Sequence, residues 1–430
     1  MLGAQHIPID FFIGRYLQQY AISLDSTKVL DGLNLFFVRG NVLNTAFSPW
    51  PNFTEEEADA IRDTLLSNQV NYWTGSQCKA FEKEFAFWAG TEYAVALANG
   101  TVALDVSLKA LGIGSGDEVV VTSRSFIASA SCVVMAGATP VFADIDEESQ
   151  NITADTIRHV LTPRTKAIIC VHLSGWPCDM DPIMALAEEE GLFVIEDCAQ
   201  AHGARYKGRP VGSIGHVGAW SFCQDKIMTT GGEGGMVTTN SYPLWSKMWS
   251  FKDHGKSWEE TIKKRPPGFA WLHESFGTNW RMIELQAVIG RIQLEKMDKW
   301  HLQRLVNAQK IWGAASIIPG LRVPKIPKDI EPAAYKCYVF IEPDKLSATR
   351  EFIINSINAQ GVPCYSGSCS EIYLEKAFEG TGWQPSERLP IARKLGETSL
   401  MFLVHPTLKP EEIEKTCQVL QTVILSVQKQ

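Results

Sequence analysis

From residue 54 onward, short unbroken apolar runs alternate with segments in which apolar residues recur every three or four positions. Thr54 precedes Glu55, Glu56 and Glu57 and reads as an N-cap with acids in the first helical turn, opening a helix that runs to about residue 67. Trp73-Thr74-Gly75 marks a loop, after which residues 78–88 carry apolar positions at helical spacing. Strands are expected at 93–97, 118–122, 141–143, 167–172 and 193–196, with helices between them at 101–111, 129–135, 155–161 and 182–189. Continuous apolar strands separated by helices predict a mainly parallel sheet covered on both faces, because such a sheet exposes neither face of its strands to water.

The pattern changes in the last third. Residues 283–312 predict one linking helix or two, and Pro319, Pro324, Pro327 and Pro332 then punctuate the chain. Residues 335–341 alternate like a strand, 349–360 look helical, and 410–426 make a closing helix. A chain of 430 residues exceeds what one core usually holds. The expected division is an N-terminal extension at 1–45, a large domain at 46–300 and a smaller α/β domain at 301–430.

Composition narrows the class. Hydrophobic content of 45% and charged content of 20% are ordinary for a globular protein, and a net charge of -8 argues against a nucleic-acid partner. The ten cysteines are scattered without a CxxC pair, and Cys132, Cys170, Cys198 and Cys223 lie in or beside apolar runs, which predicts free thiols in a reducing compartment. No segment offers about 18 uninterrupted apolar residues. Asp10 and Arg15 interrupt the early apolar stretch, so a cytoplasmic enzyme without a membrane partner is expected. The histidines are dispersed, with no HExxH spacing, and no metal site is expected.

The chemistry concentrates between residues 195 and 235. Asp197 ends the apolar run Ile195-Glu196-Asp197, and Lys226 follows a second one, Gly218-Ala219-Trp220-Ser221-Phe222-Cys223. Such a lysine can form a Schiff base with the aldehyde of pyridoxal 5′-phosphate (PLP), while the acid holds the pyridine nitrogen protonated so that the ring accepts electrons. Either residue alone has an ordinary reading, since acids often end parallel strands and loop lysines are usually solvated. Asn99-Gly100-Thr101-Val102 joins a strand to a helix, where backbone N–H groups and the Thr101 hydroxyl suit a dianionic phosphate; a plain N-cap is the alternative. The run from Gly231 to Gly235 lacks GxxxxGK[ST], and no strand is followed by GxGxxG, which removes the main support for a P-loop or a nicotinamide enzyme.

With these residues in place, the chain resembles the DegT/DnrJ/EryC1/StrS family of PLP-dependent sugar aminotransferases from about residue 53 to 408. The resemblance implies the aspartate-aminotransferase-like fold type I, with a mainly parallel seven-stranded sheet between helices and a smaller C-terminal α/β domain. It implies Lys226 and Asp197 as the catalytic pair, and Gly100, Thr101 and Val102 with the Ser221 hydroxyl as the phosphate site. Phe126 would cover the ring, with Gln200 near its opposite face or its hydroxyl. Asn279, in Asn279-Trp280-Arg281-Met282, matches the asparagine that reaches the phosphate of a neighbouring subunit, so a homodimer with shared active sites is implied. His172, His202 and Arg281 match positions near the substrate, although packing or an ion pair is the alternative for each.

The implied donor is L-glutamate and the implied acceptor a nucleotide-linked ketosugar. Gly-Glu-Gly-Gly after the lysine leans towards amination at C4 of a 4-keto-6-deoxyhexose carried on dTDP, as in building an amino sugar for an O-antigen, another surface polysaccharide or a glycosylated metabolite. A 3-keto sugar or keto-cyclitol acceptor stays open, as does a non-catalytic protein that keeps the fold; Lys226 disfavours the sugar dehydratases, which carry histidine there. Three departures stand out. Trp280 replaces the usual tyrosine, Gln224-Asp225 replaces a Thr or Ser before the lysine, and residues 361–369 lack the usual Pro-x-His.

Overall fold

The computed structural model describes residues 46–265 and 268–429, so the expected extension at 1–45 lies outside the described residues. The helix α1 (Glu55–Leu66) begins at Thr54, whose N–H and hydroxyl donate to one oxygen of Glu57 at 2.7 and 2.9 Å. The other oxygen accepts from Gln293 at 2.8 Å, so the cap also docks this helix on a distant part of the chain. For α2 (Gln77–Ala89) the cap comes from outside, with Glu284 accepting from the amides of Gln77 and Cys78 at 2.5 and 3.2 Å.

Seven strands form the main sheet: β1 (Tyr93–Leu97), β2 (Glu118–Thr122), β3 (Thr139–Ala143), β4 (Thr165–Val171), β5 (Phe193–Asp197), β6 (Val217–Ser221) and β7 (Gly235–Thr239). Their spatial order is β1-β7-β6-β5-β4-β2-β3. Only β7 runs against its neighbours in this sheet; the pairings among β2 to β6 are parallel. The strands β2, β6 and β7 are buried at every position, which is why such segments read as unbroken apolar runs and not as alternating ones. Covering helices include α3 (Gly100–Leu111), α4 (Ala128–Met135), α5 (Ala154–Arg158) and α6 (Met180–Glu190). The sequence pattern carried α5 to residue 161, but the helix stops at Arg158, ahead of a proline at 163 that disfavours helical backbone at the residue before it. After β7 come α7 (Tyr242–Lys252) and α8 (Trp258–Ile262).

One unbroken helix, α9 (Glu284–Ser316), occupies the region where the sequence allowed one helix or two, and at 33 residues it is about 50 Å long. It packs on α1 and α2 at one end. Beyond it, β8 (Leu321–Arg322), β9 (Cys337–Ile341), β10 (Cys364–Tyr365) and β11 (Ser399–Phe402) make an antiparallel sheet in the order β8-β9-β11-β10. The helices α10 (Arg350–Ala359), α11 (Pro390–Thr398) and α12 (Pro410–Ser426) accompany it, and Ile311, Val339, Ile353, Phe402 and Leu420 form a core of its own. All ten cysteines are unpaired; Cys132, Cys170 and Cys198 are buried and Cys223 half-buried. Among the described residues, no helix is long and apolar enough to cross a membrane.

Candidate active site

The carboxyl ends of parallel strands are where an open α/β sheet offers a crevice, and the candidate residues collect there. Asp197 ends β5 opposite Ala219 of β6, just short of Ser221. Neighbouring strands are ~4.8 Å apart, so the acid and the serine stand within the span of one small ligand. Asp197 is buried. Its Oδ2 accepts from Ser129 Oγ at 2.8 Å, its Oδ1 accepts from the Ala199 amide at 3.1 Å, and Ser125 and Ser129 share a further bond of 2.8 Å. Burial pushes the Asp197 carboxyl above its ordinary range, against the pull of Ser129, the Ala199 amide and the charge of Lys226.

A second group surrounds the start of α3. A side chain on Gly100 would bring its Cβ to 2.5 Å from Ser221 Cβ, and one on Gly235 would meet the Asn99 carbonyl oxygen at 2.2 Å. Both glycines therefore let the helix start press against β6 and β7, beside the Ser221 hydroxyl. The first amides of a helix have no preceding turn to accept them, so those of Gly100 and Thr101 suit an anion. Val102 corrects the expectation: its amide donates to Asn99 Oδ1 at 3.0 Å, so the N-cap already holds the third proposed phosphate donor. Gly100→Ala should weaken PLP binding by about ten-fold or more, measured by equilibrium dialysis, since one displaced charge-assisted contact is worth that much.

Lys226 follows β6 in a loop whose Thr229 amide is held by Gln293 Oε1 at 2.9 Å. Its side chain is 17% exposed, with Nζ 3.8 Å from Asp225 Oδ1 and 5.3 Å from the centre of the Tyr335 ring. Tyr335 donates its hydroxyl to Asp225 Oδ2. Burial would raise the Asp225 carboxyl, but Lys226, the Tyr335 bond and Lys336 outweigh it and hold it below the ordinary range. Thus Asp225, which stands where a hydroxyl residue was expected, borrows a hydroxyl from Tyr335. From the other side, Trp50 Nε1 donates to the Lys226 carbonyl at 2.8 Å. Nothing in the local pattern around residues 50, 129 or 335 marked them, because each reaches the site through a distant part of the chain.

The remaining candidates divide. Phe126, 68% exposed, offers a bare ring face beside the Ser125-Ser129 pair. Gln200 is buried and its Oε1 accepts from the Ser174 amide at 2.7 Å. Asn279 is exposed, bridging through its backbone to Asp253. Arg281 donates to Asp253 at 2.7 Å, the ion-pair alternative. His202 is wholly buried between Trp220 and Phe222, at 5.2 and 5.7 Å, with burial, Lys226 and Arg304 lowering it to about 3.

His172 is the clearest correction, since it is wholly buried and both ring nitrogens are engaged, Nδ1 by the Cys178 amide at 3.0 Å and Nε2 by Glu196 at 3.0 Å. It has no atom left for a substrate. Glu196 also accepts from the amides of Gly212, Ile214 and Gly215 at 2.9, 2.8 and 2.6 Å. Burial would raise its carboxyl, yet the His172 bond and the Gly215 and Gly212 amides hold it below the ordinary range. His172, Glu196 and Cys198 lie close enough together for a metal, but the carboxylate already accepts two bonds on each oxygen. Glu196→Gln should cost about 3 kcal/mol of stability by chemical denaturation, because the amide turns a donor towards donors.

A buried acid, a lysine whose charge acts on it, a glycine-walled helix start beside a serine and a bare aromatic face fit PLP piece by piece. Fold and site together define a PLP-dependent enzyme of fold type I. The model of the DegT/DnrJ/EryC1/StrS aminotransferase family matches residues 51–421. The UDP-N-acetyl-3-dehydro-alpha-D-glucosamine 3-aminotransferase of Acidithiobacillus ferrooxidans is 36% identical over 85% of this chain and 95% of its own. The GDP-perosamine synthase of Escherichia coli O157:H7 is 33% identical over 86% and 95%. An aminotransferase structure from Psychrobacter cryohalolentis superposes with a TM-score of 0.88 at 61% identity, covering 89% of this chain and 99% of that one. The chain belongs to the DegT/DnrJ/EryC1/StrS aminotransferase family and is a PLP-dependent sugar aminotransferase.

Proposed function

We propose that this enzyme moves the amino group of L-glutamate to the C4 keto group of a nucleotide-linked 4-keto-6-deoxyhexose, most simply a dTDP sugar. The observation that carries the reading is the convergence of Lys226, Asp197 and the Gly100–Ser221 cradle at one end of the main sheet. Bound PLP supplies the electron sink that makes the α-proton of the donor removable. Gly100, Thr101 and Ser221 would hold its phosphate, Phe126 would cover its ring, and Asp197, kept in place by Ser129, would answer the ring nitrogen. The Lys226 amine takes the α-proton of glutamate and later delivers a proton to C4 of the sugar, acting as base and then as acid. Its backbone is fixed by Trp50 and its amine faces Asp225, so the lysine needs little reorientation between the two halves of the reaction.

In the same reading, residues 46–300 form the cofactor-binding domain and 301–430 a smaller one, supported by the separate core around Val339 and Phe402. Exposed Asn279 fits a role in the site of a second copy, which makes the working unit a homodimer; the unpaired cysteines suit the cytoplasm. The C4 position rests on the family resemblance of Gly232-Glu233-Gly234-Gly235. A 3-keto sugar is the second reading, favoured by the Acidithiobacillus relative. The test is to bleach the visible cofactor band with glutamate and then add dTDP-4-keto-6-deoxyglucose. Return of the band supports the C4 reading; return only with a UDP-linked 3-keto sugar replaces it with the second.

A further inference from the structure

Around Lys226 the chain gathers more positive charge than it neutralises. Lys336 Nζ stands 4.7 Å from the centre of the Tyr335 ring, the same ring that Lys226 faces. Arg304, on α9, is wholly buried: Nη1 donates to the Tyr335 carbonyl at 3.3 Å, while Nε and Nη2 have no hydrogen-bond partner. Its guanidinium lies 5.0 Å from the ring of Trp50, the residue that fixes the Lys226 carbonyl. Two carboxylates answer these three cations, Asp225 facing Lys226 and Lys336 and Asp197 facing Lys226, and Asp225 is already engaged by Tyr335 and Lys226. Among the described residues, Lys336 forms no ion pair. Burial, Arg304 and Lys226 draw its amine down to about 8 against the charge of Asp225, and His405 is lowered to about 3 by burial, Arg304 and Lys336.

A buried guanidinium without a counterion is costly, and proteins seldom keep one idle. Placed behind a half-buried lysine at the edge of a reactive site, it maintains a positive potential that an incoming anion can answer. The reaction brings such an anion. An amino donor must present its amine where Lys226 Nζ stands, and since Lys226 and Lys336 both lie against the Tyr335 ring, at 5.3 and 4.7 Å, its carboxylates come within reach of Lys336. We propose that Lys336 binds a carboxylate of the amino donor, with Arg304 as the fixed charge behind it. The inference rests on the aminotransferase reading with glutamate as donor. Lys336 is a binding residue, and Arg304 a positioning residue that acts through it.

The test uses the PLP-loaded enzyme and glutarate, a diacid that lacks the reacting amine, titrated by calorimetry. Lys336→Met should weaken glutarate binding by about ten-fold or more, and Lys336→Arg should keep it within about three-fold, because the charge persists. In the wild type the affinity should fall as pH rises through about 8, where Lys336 loses its proton among Lys226, Asp225, Tyr335, Arg304 and His405, and Lys336→Met should lack that step. Unchanged glutarate binding in Lys336→Met, or a loss confined to pyrophosphate, the stand-in for the sugar nucleotide, overturns the assignment. If glutamate bleaches the wild type and Lys336→Met with the same concentration dependence, this inference falls while the donor reading stands. If the wild type neither bleaches with glutamate nor binds glutarate, both fall.

Discussion

Lys226→Ala should lower amino transfer by about 10⁴-fold or more, since the substitution removes both the covalent attachment and the group that moves the proton. Binding of the cofactor should survive, because the glycine-walled cradle, Ser221 and Asp197 do not depend on the lysine side chain. The variant should therefore take up PLP by dialysis, show a spectrum characteristic of the free aldehyde and turn over neither glutamate nor ketosugar. Near-normal turnover would remove Lys226 from the chemistry. Loss of PLP binding with normal folding would mean that the cradle is too weak to hold the phosphate unaided.

Asp197→Asn should cost about 10² to 10³-fold in turnover, the size associated with losing one fixed electrostatic partner in a closed site. Its effect on the empty protein should have the opposite sign. Burial raises the Asp197 carboxyl, so the folded state holds its proton more tightly than the unfolded state does. Stability of the empty protein then falls as pH rises from about 4, the ordinary carboxylate range, to the raised value, and stays lower above it. An asparagine carries no such charge, so the empty variant should melt no lower than the empty wild type at neutral pH. With PLP bound, the ring nitrogen answers the carboxylate and the wild type should become the more stable of the two. Melting temperatures of both forms, empty and loaded, between about pH 4 and 8 check the crossing. A purely structural Asp197 would instead give an unstable variant in both states.

The sheet was legible because its strands are buried on both faces: 118–122 and 193–196 needed no knowledge of the rest of the chain, and both are strands. The cap was legible where it lies next to its helix, as at Thr54; the helix read at 78–88 does begin at Gln77, but its cap was not legible, because the distant Glu284 provides it. The acid and the lysine could be picked out because strand ends and family resemblance coincide there. Sequence matching misassigned atoms that the fold spends locally: the Val102 amide on Asn99, His172 on Glu196 and Cys178. Ser129, Tyr335 and Lys336 were missed for the converse reason. Ordinary residues acquire their neighbours only when α4 and the stretch before β9 come up against the ends of β5 and β6.

The Trp50 bond to the Lys226 carbonyl also bears on when the enzyme becomes competent during its own synthesis. The segment that carries Trp50 is tied down by the far end of the chain: Ser48 donates to Glu412 from its amide and hydroxyl at 2.6 and 3.1 Å, Thr407 donates to the Pro49 carbonyl at 2.8 Å, and His405 stacks on the indole at 6.0 Å. Domains fold as they leave the ribosome, amino-terminal parts first, so every strand of the main sheet is available before residues 405–412 emerge. A nascent chain stalled short of those residues carries the lysine, the acid, the cradle and Trp50, but lacks the side chains that hold Trp50 against the lysine's backbone. Completion of the reactive centre thereby waits until residues 405–412 have been made and have closed on residues 48–50.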